Sequence, residues 1–503
     1  MALGLVLLLF VLLRVPSWFE PHWYTDEGGY ATTAWLAMHG GTLYSTVWNN
    51  KPPLLFWSYG LVLTLFGPSE LGLHLMSTLL GVITLAGLWR LARDLMGWQR
   101  ALVAVLLAAV ALGLPILNAE LALPESLLIA PATWAMVATM AAVKPGGSHL
   151  RWLWGIAAGA LFAAAILYQQ TALAETAAAG LWLWLLPAGR GRRPLVALVA
   201  ASVLLVGGAL APYLVWAGPA NVFYFLVVSY DSYARASVGP SLASIVPRGV
   251  VLLAIPLGAL WGRSEPDQPW RLVWIWLAAT ALTAALPNRP YIFFTIPLVI
   301  PLALLLARIP LPGSWRLSGL GGLARRRGGV VVAGLLACSM WGQILATEGG
   351  LASYTTGLTF GYYQNFAAHA LGKESQVSYD NYFDYRVAGE RQAARWIDQH
   401  GLRGQMALVW SSDAWAYLLA DVRPAVPAPA LYVDEMWLGS AGVMDWVEAE
   451  RPVVVVTTPS SLRVYPQIVP YLKQFYVEVY HPHESEVWVR RGHLPKGVAP
   501  QGS

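Results

Sequence analysis

Apolar runs of the length that crosses a bilayer recur through the first two thirds of the chain. A membrane-spanning helix needs roughly 17–25 mostly apolar residues, and by that rule the sequence predicts about eleven of them. They fall at residues 2–19, 71–92, 100–117, 126–143, 150–168, 171–187, 194–216, 245–262, 271–287, 291–308 and 329–347. Two further runs, at 28–39 and 55–66, are too short to span and read as helices lying along the membrane surface, the second ended by Gly67-Pro68.

The pattern changes near residue 374, where charged residues become frequent. Residues 390–400 predict an amphipathic helix that buries Ala393, Ala394, Trp396 and Ile397. Strand patterns follow at 406–410, 453–457, 475–480 and 486–490. Strands that alternate with helical stretches indicate a small α/β domain. We therefore predict a transmembrane module over 1–347 with the active site in its loop 20–70, a linker over 348–373, an α/β domain over 374–492 and a disordered tail over 493–503.

Composition supports an α-helical polytopic membrane protein. Of the 503 residues 57% are hydrophobic and 12% are charged, whereas soluble domains carry about 25% charged residues. The net charge of +5 does not indicate a nucleic-acid partner, because the arginines lie mainly in short loops between apolar runs. One cysteine, Cys338, excludes an intrachain disulfide. Residues 3–18 lack a basic start and a small-residue cleavage site, so we expect them to remain as the first helix.

Basic residues are divided unequally between the two sets of loops. One set contains Arg90, Arg93, Arg100, Lys144, Arg151, Arg190, Arg192, Arg193, Arg263, Arg271, Arg308, Arg316, Arg325, Arg326 and Arg327. The other set contains Lys51, Arg235, Arg248 and Arg289. Since basic loops stay in the cytoplasm, we predict a multi-pass protein of the inner (plasma) membrane. Loop 20–70 and everything after residue 348 then face outward, so the α/β domain is expected to be extracytoplasmic.

The loop between the first two spans holds an acid pair, Asp26 and Glu27. A carboxylate at the mouth of a helix bundle is well placed to take a proton from a bound hydroxyl. The structural alternative is a helix start, with Thr25 or Asp26 as the cap of a run from Gly28 and Glu27 at the positive end of the helix dipole. We favour the functional interpretation.

Lys51 lies in the same loop, in front of two prolines that restrict the backbone. A cation in a loop set that is otherwise poor in bases suits a phosphate or a carboxylate. The alternative is a lysine whose amine extends to the membrane interface.

Two other predicted outer turns carry charge. Glu120 and Glu125 flank a hairpin in which Pro124 suits the first turn of the next helix, so capping again competes with function. Arg289, before Pro290 and Tyr291, lies on the face where basic residues are disfavoured and so indicates an anionic partner. The predicted outer loop 217–245 is rich in aromatic residues and contains Arg235. It is typical of either a lipid- or sugar-facing loop or an interfacial aromatic belt.

Taken together, these motifs resemble the GT-C glycosyltransferases of the protein O-mannosyltransferase and aminoarabinose transferase superfamily. The matching residues are Asp26-Glu27 with Tyr30, Lys51-Pro52-Pro53-Leu54, Leu123-Pro124-Glu125 with Leu127-Leu128, and Arg289-Pro290-Tyr291 ahead of Ile296-Pro297. They occur in the family's order over roughly the first 310 residues. The chain departs from the family at the second acid, which is more often aspartate, and at Gln169-Gln170, where a lysine is frequent.

The resemblance implies an inverting enzyme that moves a sugar from a polyprenyl-phosphate carrier to a lipid, glycan or protein hydroxyl. It implies that Asp26 is the general base, with Glu27 beside it and Glu125 as the second acid. Lys51, Arg289 and Tyr291 would hold the donor phosphate, and Tyr30, Glu120 and Arg235 would contact substrate. We expect no cofactor, although paired carboxylates suit Mg²⁺ or Mn²⁺, and an ion between Asp26 and Glu125 is the alternative.

A flippase or transporter for lipid-linked sugars is the rival function. Transporters place polar residues near the membrane centre and often consist of two similar halves. The apolar runs here contain few charges, chiefly Arg14 and Glu175, and the two halves of the sequence show no similarity. A membrane part that only anchors the α/β domain would not need so many spans. The sequence therefore favours the transferase.

Overall fold

The computed structural model describes residues 1–144, 148–230, 268–285, 291–308 and 359–498, and most of them are helical. The chain divides into two compact units. The first unit comprises Met1–Val15, His74–Ala211 and Ser237–Tyr362; the second comprises Pro16–Leu73, Pro212–Ala236 and Tyr363–Ser503. We describe each unit separately.

The first unit is built from apolar helices. Their bounds are Ala2–Arg14, Glu70–Gly113 (whose first turn belongs to the second unit), Pro124–Ala141, Ser148–Tyr168, Ala172–Leu185, Ala188–Trp216 (whose last turn, from Pro212, belongs to the second unit), Gln268–Ala285 and Val299–Ala307. The helix Glu70–Gly113 covers two predicted spans and is interrupted at Gly97, whose φ of 79° only glycine adopts readily. Pro124–Ala141 is buried over almost all of its length and packs against Ser148–Tyr168.

The predicted spans can be compared with these helices. Within the described residues, four helices are long and apolar enough to cross a membrane: Ala2–Phe19, Glu70–Gly113, His149–Tyr168 and Gly189–Trp216. The predicted span 291–308 is a 3₁₀ helix over Ile292–Leu298 followed by Val299–Ala307, with Pro297 inside the first part. Pro297 lacks a backbone N–H and so removes one hydrogen bond of a regular α-helix at this point. The predicted spans 245–262 and 329–347 lie outside the described residues, so the total of about eleven stays a prediction.

Two helices of the second unit form the first outer loop of the sequence analysis. Thr25–Met38 packs against Pro53–Phe66. The latter begins with proline at its first turn and ends at Gly67, which has a φ of 69°. Its 14 residues extend about 21 Å, short of the roughly 30 Å hydrocarbon core. Pro219–Phe223 and a π-helical turn over Tyr224–Val228 also belong to this unit, so the described start of the predicted loop 217–245 is helical.

The C-terminal part of the second unit contains a five-stranded sheet in the order β2-β1-β3-β5-β4. The strands are β1 Met406–Trp410, β2 Arg423–Pro424, β3 Val454–Thr457, β4 Tyr476–Tyr480 and β5 Glu486–Arg490. β1 runs parallel to β2 and β3, while β5 pairs antiparallel with β3 and β4. Two strands have the predicted bounds, two begin one residue later, and the two-residue β2 was not predicted. We call residues 374–492 the C-terminal α/β region.

Helices cover both faces of this sheet. The helices of the region are Gln376–Phe383, Val387–Gln399, Trp415–Ala420, Leu431–Glu450, Pro459–Val464 and Val469–Phe475. A further helix, Thr359–Ala370, precedes the region. Val387–Gln399 buries the four predicted side chains against one face, and Leu431–Glu450 packs on the other. Leu494 and Val498, in the stretch predicted to be disordered, pack against the first of these cores.

Candidate active site

The first turn of the helix Thr25–Met38 holds the two predicted catalytic acids. The helix starts one residue before Asp26, and its N-cap is Tyr24, which makes no capping hydrogen bond through its side chain. The proposed cap by Thr25 or Asp26 is therefore wrong. Both Asp26 and Glu27 still lie in the first turn, at the positive end of the helix dipole.

Asp26 and Glu27 have different surroundings. Asp26 is half-buried, and its Oδ1 accepts a hydrogen bond from the hydroxyl of Tyr432 at 3.1 Å. Glu27 is fully buried, and one of its carboxylate oxygens lies within 4.8 Å of a carboxylate oxygen of Glu70. Asp26 is thus the acid that a substrate reaches more easily, whereas Glu27 belongs to a buried acid pair.

The carboxylates also act on Tyr59, in the neighbouring helix Pro53–Phe66. Burial, followed by the negative charges of Glu27, Glu70 and Asp26, raises the pKa of Tyr59 well above its usual value. Carboxylate oxygens are the ligands that Mg²⁺ and Mn²⁺ prefer, so Glu27 and Glu70 are the pair in this unit best suited to bind such an ion. A metal requirement stays a hypothesis.

The backbone of Lys51 is held by two hydrogen bonds. Its carbonyl accepts a hydrogen bond from the hydroxyl of Tyr44 at 2.8 Å, and its N–H donates to Asn49 Oδ1 at 3.2 Å. Pro52 and Pro53 follow it and start the next helix. The Nζ lies 5.8 Å from the centre of the Tyr230 ring. These contacts fix the point from which the Lys51 side chain extends.

Tyr30 is part of the packing between the two helices. Its ring lies 6.4 Å from that of Phe56 and 5.9 Å from that of Tyr59, in edge-to-face geometry, and its side chain is buried. This position favours a role in supporting the helix that carries Asp26, one turn earlier.

Glu125 lies in the first unit, in the first turn of Pro124–Ala141. Its side chain is 3% exposed, and its Oε1 accepts a hydrogen bond from the Gln169 amide at 2.6 Å. Gln169 thus supplies a neutral donor to this buried carboxylate. Pro124 stands at the first helical position, as predicted.

Arg14 fixes the turn that precedes Glu125. Its guanidinium donates to the carbonyl oxygens of Leu112 at 3.2 Å, Ala119 at 2.6 Å and Glu120 at 2.8 Å, and to Ser77 Oγ at 2.9 Å. Glu120 is buried and contributes its backbone carbonyl to this arrangement. A charge that is unusual in an apolar helix therefore satisfies the backbone of an irregular turn.

The remaining predicted site residues are only partly described. Tyr291 precedes the 3₁₀ helix of the first unit and stacks on Phe293, with ring centres 5.3 Å apart. Arg289 and Arg235 lie outside the described residues. The structure thus brings Asp26, Glu27, Lys51 and Tyr30 into one unit, and it places Glu120, Glu125 and Tyr291 in the other.

Two residues near the acids were missed by sequence reasoning. Glu70 is the first residue of a helix that follows Gly67-Pro68. The Gly-Pro pair marks the end of one helix and also the start of the next, and only the first meaning enters the prediction. Tyr432 gave no signal, because its contact with Asp26 joins positions 406 residues apart.

The chain was compared with protein families, with known sequences and with solved structures, and it matches one family model over part of its length and one fold. Residues 50–216 match the model of the family described as Dolichyl-phosphate-mannose-protein mannosyltransferase. An "Uncharacterized protein" of Aquifex aeolicus (strain VF5) is 35% identical over 109 residues, which are 20% of this chain and 22% of that protein. The match thus spans about a fifth of that relative.

Among solved structures, ArnT from Cupriavidus metallidurans bound to undecaprenyl phosphate has a TM-score of 0.63 at 18% identity, covering 100% of both chains. The apo oligosaccharyltransferase of Archaeoglobus fulgidus has a TM-score of 0.50 at 12% identity, covering 99% of this chain and 75% of that one. At these identities the likeness establishes a shared fold.

Proposed function

Since the chain resembles the GT-C glycosyltransferases both in its matched family model and in its fold, we propose that it is an inverting glycosyltransferase with a polyprenyl-phosphate sugar donor. It moves the sugar to a hydroxyl acceptor at the outer face of the membrane. The observation that carries the proposal is Asp26, a half-buried carboxylate held at a helix start in the same unit as Lys51.

The reaction is a single displacement. Asp26 takes the proton of the acceptor hydroxyl while that oxygen attacks the anomeric carbon from the side opposite the phosphate. The bond between the anomeric carbon and the phosphate oxygen breaks, and its electron pair leaves with the polyprenyl phosphate. Lys51 and Arg289 neutralise the charge that grows on this phosphate. The configuration of the sugar is inverted because there is one displacement.

Two findings support the class of donor. The matched family is named for dolichyl-phosphate-mannose, and the ArnT structure holds undecaprenyl phosphate. Both are polyprenyl phosphates, a long apolar chain with one anionic head. An aromatic and apolar surface with a lysine beside it, such as the one around Lys51 and Tyr230, suits that head.

The function is tested by donor turnover. We suggest incubating the purified full-length protein with undecaprenyl phosphate carrying radiolabelled mannose, glucose or 4-amino-4-deoxyarabinose, together with an envelope extract as acceptor. We expect wild type to release the sugar from at least one donor, while an identically purified Asp26→Asn protein releases it at least about a hundredfold more slowly. Failure to cleave every donor, combined with movement of intact donor across reconstituted vesicles, would reject the transferase in favour of a transporter.

The outward orientation of Asp26 is tested by labelling in intact cells. Gly28 is unsuitable as a cysteine position, because a Cβ there would lie 2.7 Å from Trp415 Cδ1. The exposed His39, at the end of the same helix, is the better site. In a Cys338→Ser background, we expect His39→Cys to react with a membrane-impermeant maleimide and Arg192→Cys not to react. The reverse pattern would place Asp26 in the cytoplasm and favour a nucleotide-activated donor.

A further inference from the structure

The C-terminal α/β region contacts the helix that carries Asp26 at three points, all within the second unit. The Tyr432 hydroxyl donates to Asp26 Oδ1 at 3.1 Å. Thr32 Oγ1 donates to the carbonyl of Ala414 at 2.9 Å. Gly28 lies so close to Trp415 that no larger residue fits without a shift. The catalytic helix is thus held along its first two turns by residues nearly 400 positions away.

The segment that presents Tyr432 is itself fixed. The N–H of Ala428 donates to Asp434 Oδ1 at 3.1 Å, which closes the turn before the helix Leu431–Glu450. Just ahead of that turn, the Pro427 carbonyl accepts from the N–H of Trp48 at 2.9 Å. The Trp48 ring also lies 6.3 Å from that of Trp437, one turn after Tyr432. These contacts hold the Tyr432 backbone against the first outer loop.

We propose that Tyr432 is a positioning residue that orients the Asp26 carboxylate for proton abstraction. This inference rests on the proposed function. A half-buried aspartate turns about its side-chain torsions, and only some orientations direct an oxygen at the acceptor. The hydroxyl of Tyr432 donates to one oxygen and so fixes the plane of the carboxylate.

The proposal gives the C-terminal α/β region a part in the reaction. The base is carried by the N-terminal loop, and its orientation is set by a side chain from the other end of the sequence. Tyr432 need not touch the donor phosphate for this role. Its loss should therefore slow the chemical step without weakening donor binding.

The first test is Tyr432→Phe, which removes only the hydroxyl. Using the polyprenyl-phosphate sugar that wild type turns over, we expect kcat to fall about tenfold or more, since a hydrogen bond to a charged group is lost. The KM for the donor should change by less than about twofold. Tyr471→Phe is the matched control, because its hydroxyl bonds the Val447 carbonyl within the α/β region at 3.4 Å. It should keep the wild-type kcat.

The second test places Tyr432→Phe in the Asp26→Asn background, measured by single turnover with enzyme in excess. If Tyr432 acts through Asp26, the second substitution costs less than about twofold there. An unchanged kcat in Tyr432→Phe, an equal loss in both backgrounds, or a raised donor KM would each overturn the inference. In all three cases an active wild type leaves the transferase function standing. An inactive wild type would reject the function itself, and the inference with it.

Discussion

Two buried carboxylates of the first unit and two of the second have contrasting neighbours. In the first unit, Glu125 accepts from the Gln169 amide and Glu175 accepts from the Trp276 indole, both at 2.6 Å. In the second unit, Glu27 lies near Glu70, and Glu390 lies against Asp413. A carboxylate beside a neutral donor has a hydrogen-bond partner for its oxygen. Two neighbouring carboxyl groups repel each other when both are ionised, so a shared proton is favourable.

This difference bears on which acid is the better candidate for the general base. A carboxylate that is buried and bonded by an amide is stabilised as part of the packing. A half-buried carboxylate at a helix start is accessible to a bound hydroxyl, as a general base must be. Asp26 meets the second description and Glu125 meets the first. The comparison therefore favours Asp26 as the base and a supporting role for Glu125.

The largest expected effect separates these two acids. Asp26→Asn should lower kcat by about 100- to 10,000-fold, the range for loss of a general base. Glu125→Gln should cost less than about tenfold, because an amide of the same shape still accepts from Gln169. Initial rates of sugar release measure both variants. Equal losses, or a larger loss at Glu125, would transfer the role of base to the first unit.

Local patterns predicted most of the fold. The bounds of β1 and β5, the four buried side chains of Val387–Gln399 and Pro124 at its helix start all follow from residues close together in the sequence. The 3₁₀ helix Ile292–Leu298 departed from the predicted span because hydrophobic length alone does not register the effect of a proline on backbone bonding.

The candidate site was predictable only where it consists of short motifs. Asp26, Glu27 and Lys51 stand in one loop, so their common unit followed from the sequence. The contact of Tyr432 with Asp26 and those of Arg14 with backbone carbonyls could not be predicted, since they join distant positions in the sequence. No periodicity in a single sequence encodes which distant segments will meet.

Arg14 offers the next test, on the first unit alone. Arg14→Ala would leave the carbonyls of Leu112, Ala119 and Glu120 without this donor, and we expect a loss of about 3–5 kcal/mol in unfolding free energy. Arg90→Ala is the control, because its pair with Asp94 is exposed and one turn away; such pairs contribute about 0.3–0.5 kcal/mol. Thermal unfolding in detergent compares them. Equal stability of the two variants would contradict the anchoring role of Arg14.

Lys51 tests the donor side of the second unit. Lys51→Ala should raise the KM for the polyprenyl-phosphate donor about ten- to a hundredfold, because a charge-assisted bond contributes about 1.5–3 kcal/mol. Lys51→Arg should retain most of the affinity, since it keeps the charge. Lys144→Ala, an exposed partner of Asp94, serves as the control for loss of a lysine. A wild-type donor KM in Lys51→Ala would remove Lys51 from the phosphate site.

The smallest expected effect concerns the acid pair of the C-terminal α/β region. Burial, followed by the charge of Asp413, raises the pKa of Glu390 well above its usual value, although Arg386 opposes this and Asp384 adds to it. Between the ordinary carboxyl pKa and this raised one, the folded state holds a proton that the unfolded chain releases. Stability from Glu390 is therefore complete at acid pH and is lost as pH rises through that window.

Glu390→Gln stays neutral at every pH and should remove the share of this slope that comes from Glu390, leaving the share of Asp413, whose pKa burial also raises. At pH 8 the variant should be more stable than wild type, by about 1.4 kcal/mol for each unit by which the pKa is raised, and at pH 4 the two should agree. Hydrogen exchange of the β1 amides between pH 4 and pH 8, corrected for intrinsic rates, measures this locally. The exposed Glu448→Gln is the control and should keep the wild-type slope. If Glu390→Gln also keeps the wild-type slope, Glu390 does not retain a proton at neutral pH. The contrast between the Glu390–Asp413 pair and the amide- and indole-bonded acids of the first unit would then no longer hold.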